Sequence, residues 1–240
     1  MKLNGAVIPE DIVRRVVERR GCEHCFADLD PARTALVVID LQRAFMDDAV
    51  GHVVCPAARD IVPAVNRLAA AVRDAGGAVF WVKNTHDERC LTDWSVAHAM
   101  ATPAARDKRI AAMSEGTPGH DLWPSLEVKP EDEIVNKYRY SAFLPGMSDL
   151  PQRLRARGFD TVLITGTVTN VCCESSARDA MMTNFRTIMV SDGNAAISQA
   201  EHEASLGAFY NIFGDVMDTD MIIAALERGR GAKPVPAAAE

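Results

Sequence analysis

Short apolar runs alternate along this chain with longer stretches in which apolar residues recur at helical spacing. Five of the runs read as buried strands: Ala35–Ile39, Ala78–Val82, Asp132–Asn136, Thr161–Ile164 and Thr187–Val190. β-branched and aromatic residues dominate most of them, which favours a pleated surface over a helix. Asp215–Met217 reads as a sixth, short edge strand. Between 56 and 75, Ile61, Val62, Val65, Leu68, Ala69 and Val72 trace one apolar helix face, and Gly76-Gly77 ends it. Further helices are predicted over 9–20, 149–157, 171–184, 199–213 and 219–228, with Ser148 or Asp149 as a cap. Asp192-Gly193-Asn194 reads as a turn. Strands that alternate with helices require parallel pairing and right-handed crossovers. The expected fold is therefore α/β, a single-domain, doubly wound, Rossmann-like parallel sheet of about six strands with helices on both faces.

Three stretches fall outside that rhythm. Residues 1–30 form an N-terminal helical extension, with Ile12, Val13, Val16 and Val17 on one side to pack on a neighbouring surface or another subunit. Residues 31–230 form the domain itself, and 231–240 read as a disordered, proline-bearing tail. From Asn84 to about Leu126 the pattern is irregular, apart from a helical patch near 106–113. A stretch that long inside a compact domain usually serves as a lid or an interface.

Composition narrows the function class. A net charge of -7 leaves no basic patch for nucleic acid, and no apolar run reaches membrane-spanning length. The first 20 residues mix charge with apolar positions and lack the core of a secretion signal, which favours the cytoplasm. The six cysteines are then expected as thiols, and Cys22/Cys25 as an incidental pair without a second half-site.

The candidate chemistry lies where three strands end. Asp40 closes the first, in VVIDLQRAF; Lys137 closes the third, in KYRYSAF; and ITGTVTNVCCESSARDA runs from a strand through Gly166 into a helix. In a parallel sheet these C-terminal ends share one rim, where ligands bind. Cys172 is expected in the first turn of the helix, where unpaired amides and the dipole lower a thiol's pKa and can hold an oxyanion. A buried structural cysteine pair is the bland alternative, but an acid, a cation and a thiol on one edge favour chemistry.

These three motifs, in this order and spacing from about 34 to 228, resemble the isochorismatase-like cysteine hydrolase superfamily. That group includes nicotinamidase and the N-carbamoylsarcosine, ureidoacrylate and biuret hydrolases. The resemblance implies a catalytic triad of Asp40, Lys137 and Cys172. It also implies a non-proline cis peptide at Thr167–Val168, which would turn the Val168 amide to the oxyanion beside that of Cys172. The expected activity is hydrolysis of a C–N bond in a small carboxamide or ureido compound through a thioester. Phe45, Asn84, Thr167, Tyr138 and Tyr140 are the expected substrate contacts. Nicotinamidases gather an Asp and histidines after the first two strands. Here WVKNTHDERCLTDW offers His86 and Asp87 without a spaced second histidine, so neither metal nor other cofactor is expected. The runner-up readings are a nicotinamidase- or isochorismatase-type hydrolase and a non-catalytic redox sensor. The resemblance further implies a homo-oligomer, dimer or tetramer.

Overall fold

The computed structural model describes residues 1–231. Its core is a six-stranded sheet made of β3 (Thr34–Ile39), β4 (Ala78–Asn84), β5 (Glu133–Lys137), β6 (Thr161–Thr167), β7 (Arg186–Ala195) and β8 (Asp215–Met217). The spatial order is β5-β4-β3-β6-β7-β8, and every neighbouring pair is parallel. Strand order reverses between β3 and β6, so the ligand-binding crevice of a doubly wound sheet falls at their C-terminal ends.

Alternation along β3 explains the two layers. Ala35, Val37 and Ile39 face one apolar cluster with residues of α8 (Leu150–Ala156), α9 (Glu174–Met182) and α10 (Gln199–Ile212). Leu36 and Val38 face the other, with α4 (Val62–Ala75) and α11 (Thr219–Gly231). Burial of both faces explains why β3 reads as an unbroken apolar run instead of an alternating one. Each fully buried Val, Leu or Ile contributes about 1.5–3 kcal/mol.

The N-terminal segment is built into the same body. A two-stranded hairpin, β1 (Lys2–Leu3) with β2 (Ala6–Val7), leads into α1 (Glu10–Arg20), which packs on α10. Ile8 and Val16 are fully buried in the first cluster, so the helix's apolar side is covered by its own chain.

The structure differs from the pattern in four places. The helix expected over 56–75 is two pieces, α3 (Ala57–Asp60) and α4, since Pro63 sits in the first turn of the second. Asp192-Gly193-Asn194 is not a turn but the interior of β7, because a register shift lets Asn194 and Ala195 pair with Gly166 and Thr167. The stretch after β4 carries α5 (Arg89–Asp93), α6 (Ser95–Ala99) and α7 (Pro103–Met113), while α2 (Arg43–Met46) occupies the start of the loop after β3. Finally, α11 runs to Gly231, and the remainder of the expected tail, 232–240, lies outside the described residues. Among the described residues no helix is long and apolar enough to cross a membrane.

Candidate active site

Main-chain geometry at the sheet's C-terminal rim sets the site. Ile39, the last residue of β3, lies opposite Gly166 of β6. A Cβ on Gly166 would stand 1.9 Å from the Ile39 carbonyl oxygen, and its φ of +125° disfavours any side chain. Glycine therefore lets β6 lie against the end of β3. The next residue, Asp40, turns sharply with φ of +55°, a conformation that Asp tolerates better than most residues. Its amide donates to the Val82 carbonyl at 2.9 Å, and the Thr85 amide donates to the Lys137 carbonyl at 2.8 Å. Gln42 completes the lacing. Fully buried, it accepts from the Asn84 amide at 2.7 Å and donates to the carbonyls of Asn84 and His120. Nothing in the local sequence marked Gln42; its role emerges only when β3 and β4 lie side by side.

The cysteine turn is held as firmly. After β6 the chain makes a π-helical turn over Thr169–Cys173 and enters α9 only at Glu174. Cys172 thus precedes the α-helix, a correction to the expected first-turn position. The Thr167–Val168 peptide is cis. Thr169 Oγ1 hydrogen-bonds with His202 Nδ1 at 2.8 Å. Ser176 Oγ donates to the Cys172 carbonyl at 2.7 Å and accepts from the Ala142 amide at 3.0 Å, which ties the KYRYSAF loop to the cysteine turn.

The structure brings Asp40, Lys137 and Cys172 together. Lys137 Nζ lies 2.8 Å from Asp40 Oδ2, with both side chains fully buried. The ammonium donates to the Arg139 carbonyl at 3.0 Å, and neither Asp40 oxygen receives a well-aligned hydrogen bond. The Cys172 thiol is close enough to respond to both charges. It retains 4% exposure, whereas Cys173 is fully buried in the core.

Burial and the mutual charges of the three groups shift their titration. It pushes the Cys172 thiol far upward; the Lys137 charge draws it back only in part, and Asp40 adds to the rise. The direction is opposite to the lowering expected at a helix start, because loss of water outweighs the dipole. Burial also raises Asp40 against the opposing pull of Lys137. For Lys137, burial works downward, but Asp40 and Cys172 outweigh it and the net shift is upward.

The other expected contacts are distributed around this rim. Asn84 is buried in register with Lys137, and its Oδ1 has no partner. Thr167 is buried and donates to the Ala195 carbonyl at 3.3 Å. Phe45 packs edge-to-face on His52, with ring centroids 5.3 Å apart, and Tyr140 meets Trp94 at 4.8 Å. Tyr138 lines a cavity of about 420 Å³, together with Thr85, His86, Leu91, Ile110 and Ser114. None of the three clustered groups lines that cavity, but its Thr85 and Tyr138 directly follow Asn84 and Lys137 in the chain. Among the described residues no set of three or more His, Cys, Asp or Glu side chains is arranged to hold a metal ion.

Comparison with known proteins gives consistent relatives. The isochorismatase domain matches residues 34–221. The ureidoacrylate amidohydrolase RutB of Methylobacterium radiotolerans is 32% identical over 220 residues, covering 85% of this chain and 81% of that protein. The crystal structure of a cysteine hydrolase from Pseudomonas syringae superposes with a TM-score of 0.76 at 30% identity, covering 84% of this chain and 96% of that one. N-carbamoylsarcosine amidase from Thermoplasma acidophilum gives a TM-score of 0.62 at 26% identity, covering 78% and 97%.

Proposed function

Because this chain belongs to the isochorismatase family of hydrolases, we propose that it is a cysteine amidohydrolase that cleaves a C–N bond of a small carboxamide or ureido compound. The observation that carries this reading is the fully buried ion pair of Asp40 and Lys137, 2.8 Å apart, with the Cys172 thiol close enough to feel both charges.

In the proposed reaction the carbonyl carbon of the substrate sits over Cys172 Sγ. Asp40 takes the thiol proton as the C–S bond forms, so charge never has to rest on an isolated buried sulfur. The Asp40 carboxyl, raised by burial, lies closer to neutrality than an exposed one and suits a base that must return its proton. The main-chain amides of Val168 and Cys172 receive the oxyanion, a contribution of about 3 kcal/mol per donor in comparable sites. Collapse of the tetrahedral intermediate breaks the C–N bond, and Asp40 protonates the leaving nitrogen. Water then gives its proton to Asp40 and attacks the thioester, which releases the acid and restores the thiol. Lys137 keeps Asp40 oriented and balances its charge throughout. In this reading Asn84 Oδ1, which has no partner of its own, accepts an N–H of the substrate amide or urea.

Two further aspects belong to this reading. All six cysteines are free thiols, which suits the reducing cytoplasm. Exposed Met181, Met182 and Ile212 on α9 and α10 suit a homo-oligomer, which light scattering can test. Ammonia release from a panel of amides and ureido acids tests the activity. Cys172→Ala is expected to abolish turnover with an unchanged circular dichroism spectrum, and appreciable residual turnover refutes the nucleophile.

A further inference from the structure

Helix α10 lies beside the cysteine turn and carries polar side chains that the proposed reaction leaves unused. His202, near its start, is 4% exposed, and its Nδ1 hydrogen-bonds with Thr169 Oγ1 at 2.8 Å. Burial holds the imidazole below its ordinary range, against smaller upward pulls from the Ser191 main chain and Glu203. A neutral ring carries its proton on one nitrogen only. With that proton on Nε2, Nδ1 accepts and the Thr169 hydroxyl donates. Ser205, three residues further along α10, donates to the Glu174 carboxylate at 2.5 Å, and Arg178 Nε donates to the same carboxylate at 2.8 Å. Thr169 opens the π-helical turn and Glu174 directly follows it. Side chains of α10 therefore grip both ends of the five residues among which Cys172 lies.

Attachment of α10 to the core does not require these groups. Leu206, Phe209 and Tyr210 of the same helix are fully buried and supply its packing. Apolar packing has no preferred direction, whereas a hydrogen bond fixes both a distance and an angle. Direction is what the turn needs. Two main-chain amides must converge on one developing oxyanion, and an error of about 1 Å in such a site can cost about 100-fold in rate. We propose that His202 is a positioning residue. Through the Thr169 hydroxyl, and with Ser205 at the far end, it fixes the π-helical turn so that the Val168 and Cys172 amides converge on the oxyanion. This rests on the hydrolase reading above and deepens it by naming what aims the oxyanion donors. His202 and Thr169 are 33 residues apart, so the device exists only in the folded chain.

The test follows ammonia release from the panel compound that the wild type turns over fastest, in Thr169→Val, Thr169→Ser, His202→Ala and the double variant. Thr169→Val keeps the shape of the side chain and removes only the hydroxyl. It is expected to lower kcat about 10- to 100-fold with KM changed less than about threefold. Its Tm should fall by no more than about 4 °C, the scale of one lost hydrogen bond. Thr169→Ser is expected to recover most of the rate. Adding Thr169→Val to His202→Ala should lower kcat no further, because both changes break the same hydrogen bond. An unchanged kcat in Thr169→Val, a loss carried by KM alone, or fully additive losses overturns the inference while hydrolysis stands. If the wild type releases no ammonia from any panel compound, the hydrolase reading fails on the panel, and hydrogen exchange decides independently whether His202 holds the turn. Mass spectrometry of peptides covering 167–173 should then show faster exchange in Thr169→Val and His202→Ala, with protection restored in Thr169→Ser. Exchange equal to that of the wild type in both refutes it.

Discussion

Removing the ammonium from the buried pair makes the sharpest demand on this structure. In Lys137→Met the Asp40 carboxylate would be left fully buried without the cation at 2.8 Å. At an effective dielectric of about 20 the lost attraction is roughly 6 kcal/mol, larger than most single domains tolerate easily. The variant has an escape, which is to bind a proton on Asp40. From the ordinary carboxyl value of 3.8, that costs at most about 4 kcal/mol at pH 7 and about 1.6 kcal/mol at pH 5. The sign is fixed: a group whose folded pKa is raised above its unfolded value loses stability as pH rises. Lys137→Met is therefore expected to lose about 4 kcal/mol at pH 7 relative to the wild type, and distinctly less at pH 5. Adding Asp40→Asn removes the trapped charge and should restore much of the loss. Urea denaturation of the four members of the cycle at both pH values reads these quantities directly. A destabilisation below about 1 kcal/mol, or one independent of pH, would refute the picture of a desolvated ion pair.

The remaining predictions address other parts of the site. Gly166→Ala places a methyl carbon 1.9 Å from the Ile39 carbonyl at a positive φ, and is expected to cost more than about 3 kcal/mol or prevent folding, read as soluble yield and Tm. Because burial raises the Cys172 thiol, peptide mapping after brief iodoacetamide treatment at pH 7 should find exposed Cys22 labelled well ahead of Cys172; preferential labelling of Cys172 would show that the thiolate persists. The imidazoles of His52, His86 and His120 are pushed down to about 4, 3 and 4 respectively, chiefly by burial. Groups depressed in this way give stability that is complete above the unfolded value of 6.5 and drains away as pH falls toward 3–4. Tm should decline steadily between pH 6.5 and 4, and a flat profile would refute the buried neutral state.

The strands were legible because period and composition agreed: ALVVI and the run at 161–164 could hardly be anything else, and their ends carried Asp40 and the Thr-Asn-Val-Cys turn. What escaped the sequence depends on contacts between distant segments. Asp192-Gly193-Asn194 has turn chemistry, yet pairing with Gly166 and Thr167 draws it into β7. The helix dipole argued for a thiolate, but the extent of burial around Cys172 is a property of the packed sheet and cannot be seen in its neighbours. His98 stands twelve residues from His86, a spacing with no local meaning; only the folding of α5 and α6 over the end of β4 brings the rings face to edge. The β1–β2 hairpin was missed because two-residue strands carry too little periodic signal.

The absence of a side chain at Gly166 has a wider implication. Where the backbones of two central strands meet, the spacing of Asp40 and the Cys172 turn is set by peptide units that no surface substitution reaches. The walls above them come from the separate segment 85–126, which is anchored at both ends by the rim. The rim and that segment are thus separate pieces of chain joined by a few main-chain hydrogen bonds, among them Arg43 to Asp121 and Trp123 to Leu41.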